Sequence, residues 1–168
     1  AQMTNSGSQH FLEGERRVFD NRFLQLTQTT NESGIDVIHQ ATHRVNWNGK
    51  EIDIEPEMDM ERRRVWLNYA FDLQEQDVLT IEKLATVHTS RDKENLRGGY
   101  ELTKMQNGAM EELKQFALKG YEKLFELHQQ AWQEKVWNLY GFKVDSEKGI
   151  DELAIRFAIY HLTIMAPA

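Results

Sequence analysis

Cysteine is missing altogether from the 168 residues. That excludes disulfides, thiolate metal sites and thiol nucleophiles, and it suits a cytoplasmic protein. Long apolar runs are missing too. None approaches the roughly 20 residues of a membrane span, and no stretch reads as a secretory leader. Positive charge is scarce: Lys and Arg number 20 against 27 Asp and Glu, a formal net charge of −7. That balance argues against general binding to nucleic acid, whose phosphates call for a basic patch. The most basic run, "ERRRVW" at 61–66, sits inside a strand pattern and reads as a solvated strand face. Three catalytic signatures are absent as well: Gly-x-Ser-x-Gly, Gly-x-x-x-x-Gly-Lys-Ser/Thr and His-Glu-x-x-His. What the chain does have is 40% hydrophobic and 28% charged residues, a mixture that supports a globular core rather than disorder.

The apolar pattern changes period near residue 95. Before it, alternation predicts strands; after it, three- and four-residue spacing predicts helices. "RVWLNYAFDL" puts Val65, Leu67, Tyr69, Phe71 and Leu73 on one strand face. "VLTIEKLATVHTS" groups Leu79, Ile81, Ala85 and Val87, with Lys83 interrupting. "QEQD" at 74–77 has the length of a hairpin connector between them. Upstream, "RFLQLTQTT" and "IDVIHQATHRVNWNGKEIDI" supply three further strands, with Asn48-Gly49 as a strong turn and Ser33-Gly34 as a weaker one. The expectation is about five consecutive antiparallel strands of a sandwich. Trp47, Trp66 and the Ile35/Ile38 pair place bulk on both faces, so each face calls for a covering layer.

"SRDKENLRGGYELTKMQNG" at 90–108 reads as a polar connector with a short turn of helix. A long helix is predicted over 109–137, with Leu113, Ala117, Gly120, Tyr121, Leu124, His128, Ala131 and Trp132 recurring along one stripe. Gly120 inside it costs about 1 kcal/mol against alanine and implies a close backbone approach. Ser146 is placed to cap a following turn. The last helix, over 150–165, is apolar nearly all round, with Leu153, Ala154, Phe157, His161 and Leu162 on one stripe and Ile155, Ile159 and Ile164 outside it. Such a helix is buried on several sides, and the sequence offers no further helices to surround it. The chain is therefore expected to be part of something larger.

Six histidines invite a metal reading, but none is expected. His39 and His43 on a strand lie about 13 Å apart along one face. His128 reads as a core histidine, His161 as a neighbour of Tyr160 and Arg156, and Arg156 itself as requiring an acceptor. His10, after the polar "TNSGSQ", is the one candidate binding residue, reaching a ligand or a second subunit. The carboxylates of "EIDIEPEMDME" at 51–61 fit no calcium loop and read as a solvated acidic loop.

Three stretches resemble one known family in order and spacing. "TNSGSQHFLEGERRV" at 4–18 is similar to a segment of the N-terminal β-sandwich of the maltose, trehalose and kojibiose phosphorylases, glycoside hydrolase family 65. "GYEKLFELHQQAWQEKVW" at 120–137 looks like that family's linker helix, and "ELAIRFAIYHL" at 152–162 resembles the first helix of its catalytic (α/α)6 barrel. The resemblance implies an α+β chain. Its parts would be a portion of an antiparallel β-sandwich over 1–95, a helical linker over 96–147 and an incomplete barrel over 148–168. It implies phosphorolysis of an α-glucosyl disaccharide with inversion, giving β-glucose 1-phosphate, in a cytoplasmic homodimer. Inorganic phosphate is then a co-substrate, and no metal or organic cofactor is needed. The family's Trp-Asp sugar motif, acid glutamate and phosphate-binding residues match no position here, so no catalytic residue is assigned. A hydrolase of the family, or a non-catalytic sandwich that binds carbohydrate or mediates dimerisation, are the alternative readings.

Overall fold

The computed structural model describes residues 10–61, 64–141, 144 and 146–166. Within it the chain forms two compact units, Ala1–Lys119 and Gly120–Ala168.

The first unit is built on an antiparallel sheet of β1 (Phe11–Phe19), β2 (Phe23–Thr30), β3 (Asp36–Trp47), β4 (Lys50–Ile52) and β7 (Leu79–Thr89). A separate hairpin pairs β5 (Glu57–Glu61) with β6 (Arg64–Asn68). The expected antiparallel sheet is present, with seven strands among the described residues rather than five. The two that the alternation did not foreshadow are β1, whose run "LEGERR" has no apolar face, and β5, five residues long with only Met58 and Met60 on one face between carboxylates. The segment 51–61 is therefore not simply a loop, although every residue of β5 is exposed, as a solvated acidic stretch should be.

Connectivity differs from a simple meander. β7 pairs with β3 along its whole length, Val37↔Thr89 through Trp47↔Leu79. β6 ends at Asn68 and belongs to the other sheet, so "QEQD" does not close a hairpin between them. The cause is the length of β3: one edge of a 12-residue strand accommodates all of β7. Turn chemistry follows the residues. Asn48 and Gly49 both take positive φ, 50° and 79°, which joins Trp47 to Lys50 in the tight hairpin. In β1, Gly14 sits at a register shift against β2, where a Cβ would come within 2.1 Å of the Thr27 carbonyl; only glycine allows that approach.

The sheet's two faces are covered unequally. One face presents Ile38, Gln40, Thr42 and Arg44 of β3 beside His88, Thr86, Leu84 and Glu82 of β7. It is backed by the first part of helix α2 (Leu102–Trp132), whose buried residues Met105, Gln106, Ala109, Met110 and Leu113 recur at helical spacing. Gln106 donates to the Thr27 hydroxyl and the Glu15 carboxylate, both at 3.0 Å, and Arg44 donates to the Ala117 carbonyl. The opposite face carries His43 and Trp47, against which Tyr69 and Phe71 pack edge-on at 5.9 and 6.1 Å, while β6 lies against β2 and β1. Farther along that face the cover ends. Ile81 and Val87 are 48% and 60% exposed. The predicted apolar face of β7 is real, but it is not buried by the described residues.

Helix α1 (Lys93–Gly98) and the start of α2 (Leu102–Trp132) occupy the stretch expected to be a connector. Gly120 is not in a helix interior: its φ of 72° and ψ of 171° leave helical geometry altogether. The second unit begins there. After Trp132 the chain passes through a π-turn, Gln133–Trp137, a last short turn α3 (Asn138–Tyr140), and then α4 (Gly149–Met165). Ser146 accepts from the Lys148 N–H and donates to the Asp151 carboxylate, stapling the start of α4. No residue of α4 is buried: its composition calls for cover on several sides, and the described residues do not supply it. Tyr121 and His128 are exposed as well, while Leu113 and Gly120 of the predicted stripe are buried and Ala117, Leu124, Ala131 and Trp132 are partly covered.

Candidate functional site

A polar concavity lies at an edge of the main sheet, and β3 explains it. Since β7 fills one edge of β3, both β2 and β4 must share the other. β2 pairs as far as Leu24↔Ala41, and β4 begins at Val45↔Ile52. Thr42, His43 and Arg44 between them have no strand neighbour on that side. The resulting notch opens into a cavity of ≈ 420 Å³. Its walls come from the β1–β2 turn (Asp20, Asn21, Arg22) and the segment after β4 (Asp53, Ile54, Glu55, Pro56), with Tyr69 beside His43. Asp20 and Asn21 take φ of 51° and 52°, a left-handed pair that turns the chain tightly; Asp and Asn tolerate this better than most residues.

The polar groups on the walls are held in place. Arg22 donates to Asp53 at 2.7 Å and Asn21 to Glu55 at 2.8 Å. Arg44 lies 3.4 Å from Glu51 while bonded to the Ala117 carbonyl behind it. These exposed pairs contribute little to stability, but they fix the orientation of the carboxylates. His43 is half-buried, and its Nδ1 has no hydrogen-bond partner. Burial, with the Lys83 charge as a lesser cause, lowers its pKa below the usual 6.5, so the ring is neutral at pH 7. Burial likewise raises the pKa of the Tyr69 hydroxyl, against a smaller opposing effect of Arg22. The Tyr69 ring stacks on Phe71 at 6.2 Å. A smaller cavity of ≈ 390 Å³ on the helix side shares Arg22, His43 and Arg44 with the first, and there Lys114 pairs with Asp20 at 3.4 Å.

A further cavity of ≈ 900 Å³ runs beneath α1 and α2. Two of its ionisable groups meet: His88 Nε2 lies 2.8 Å from the Glu112 carboxylate. Asp92 is taken up by the Thr89 N–H and hydroxyl.

The candidates read from the sequence are dispersed. His10 is exposed just ahead of β1, its carbonyl accepting from the Asn31 N–H; the "TNSGSQ" before it lies outside the described residues. His39 and His43 share a strand, and no group of His, Asp and Glu that could hold a metal ion occurs among the described residues. His128 is exposed, in edge contact with Trp132. Arg156 has its acceptor, Glu152 at 2.9 Å, on the helix surface. His161 packs against Phe157 and Tyr160. No helix among the described residues is long and apolar enough to cross a membrane. The notch escaped sequence reading because its residues lie on four separate segments. The one usable signal was the polar pair Asp20-Asn21 beside a strand start.

An antiparallel sheet with a helix across one face and a second, short sheet on the other defines the first unit as an α+β domain. The chain belongs to glycosyl hydrolase family 65: the family's N-terminal domain matches residues 1–135. Two curated relatives are both named kojibiose phosphorylase. The one from Halothermothrix orenii is 37% identical over 99% of this chain and 21% of its own length. The one from Escherichia coli is 25% identical over 100% of this chain and 21% of its own length. The chain thus spans about a fifth of either relative. No solved structure gives a significant match.

Proposed function

We propose that the chain is the non-catalytic part of an inverting disaccharide phosphorylase that cleaves an α-glucosyl disaccharide, kojibiose being the first candidate, with inorganic phosphate. The observation that carries this reading is the end-to-end similarity to the two relatives of that name. In the reaction an acid group protonates the oxygen between the sugars. Phosphate attacks the anomeric carbon from the opposite face, and β-glucose 1-phosphate and glucose leave. Phosphate takes the place of the activated water in an inverting hydrolysis. No residue of the described chain is given a catalytic role.

In this reading residues 1–95 belong to the sandwich, 96–147 to the linker and 148–168 to the first helix of an (α/α)6 barrel. The apolar surface of α4 supports the last assignment, since it calls for helical neighbours. His10, exposed at the start of β1, is the residue proposed to reach a ligand or a second subunit, and the working assembly is a cytoplasmic homodimer. The test uses two proteins: this chain and the full-length phosphorylase that contains it, each given kojibiose and phosphate. The long protein should release β-glucose 1-phosphate, and the 168-residue chain should release none. Turnover by the short chain, or glucose formed without phosphate by the long one, would overturn the proposal.

A further inference from the structure

We infer that the notch on the free edge of β3 binds a neutral, polyhydroxylated ligand, a saccharide ring. Shape is the first argument. The gap covers Thr42 to Arg44, between the paired Ala41 and Val45, which lie about 13 Å apart at the rise of a strand. β2 and β4 close it at both ends, so no added strand can run through it, and a compact ligand is what fits. The volume of ≈ 420 Å³ falls within the range of small-molecule sites.

Charge is the second argument. Four carboxylates, Asp20, Glu51, Asp53 and Glu55, face two guanidiniums, Arg22 and Arg44, around the cavity. Counting Lys114, which pairs with Asp20, the balance is still negative and repels phosphate. The residues do not converge as a cation cage either. Hydroxyl groups, each both donor and acceptor, suit a wall in which fixed acceptors alternate with fixed donors.

Preorganisation is the third. Asp53 is held by Arg22 and Glu55 by Asn21, so a ligand pays little to order them. Tyr69, stacked on Phe71 and edge-on to His43, offers the apolar surface that the C–H face of a sugar ring prefers. His43 lines the cavity beside it. This assignment stands on the notch alone and does not rest on the phosphorylase reading.

The test is titration of the 168-residue chain with glucose, kojibiose and inorganic phosphate, followed by NMR at the ring signals of His43 and Tyr69. Glucose or kojibiose should give saturable shifts at both rings, with roughly millimolar affinity; phosphate should give none. The D53N/E55Q variant alters two exposed side chains, so thermal unfolding should not change. It should weaken sugar binding by about tenfold or more. Three results would each overturn the inference: no saturable sugar response up to ~50 mM, a response untouched by D53N/E55Q, or preferential binding of phosphate. None of them bears on whether the long protein phosphorolyses a disaccharide.

Discussion

His43 shows how one side chain links the sheet to solvent conditions. Burial first, and the Lys83 charge second, hold its pKa below 6.5 in the folded chain. Between the folded and unfolded values the unfolded chain binds more protons, so stability rises with pH across that window. The contribution of neutral His43 is therefore complete above about pH 6.5 and is lost as pH falls through the folded value. Urea unfolding at about pH 7.5 and pH 5.5 should show a larger acid loss for the parent than for His43→Gln. Equal losses would show that the ring titrates alike in both states. Single residues were legible where local chemistry decides: Asn48-Gly49 sits in its left-handed turn, and Arg156 found its carboxylate one turn back. They were illegible where a partner comes from far along the chain, as with Arg44 and the Ala117 carbonyl.

Among the elements, α2 divides into a buried portion and an exposed one within a few residues. Leu113 is fully buried against the sheet, whereas Leu118 is 78% exposed. Leu113→Ala should cost about 2–5 kcal/mol of unfolding free energy. Leu118→Ala should change it by no more than ~0.5 kcal/mol. Both are read from urea midpoints at constant m-value; similar losses at the two positions would mean that α2 docks along another face. The period of the pattern announced helix after residue 95 and strand before it, because periodicity is a local property of the chain. Pairing is not. Nothing in "VLTIEKLATVHTS" says that β7 joins β3 rather than its sequence neighbour. The notch depends on that choice, since it exists only because β2 and β4 must share the remaining edge. Gly120 was misread for a related reason: helical spacing continues across it on both sides, while the backbone itself departs from the helix.

At the scale of the whole molecule, apolar surface outruns its cover. Ile81 and Val87 stand open on the sheet, and Leu153, Phe157, Leu162 and Met165 stand open on α4, from 63% to 78% exposed in the helix. Monomeric proteins seldom leave patches of this kind without a use for them, and the family relatives are about five times longer than the matched region, which is 21% of each. If polypeptide beyond this region covers α4, the same substitution must have two different effects in two contexts. In the 168-residue chain, Leu162→Gln with Met165→Gln should leave unfolding free energy within ~0.5 kcal/mol of the parent, because both side chains already face water. Binding of a hydrophobic dye should fall. In the proposed full-length phosphorylase the pair should cost at least about 2 kcal/mol and lower its thermal midpoint, since a buried leucine then gives way to an amide without a partner. A large loss in the short chain would mean that its own residues bury α4. No loss in the long one would mean that the helix faces solvent there too, and the proposed barrel assignment of residues 148–168 would fall with it.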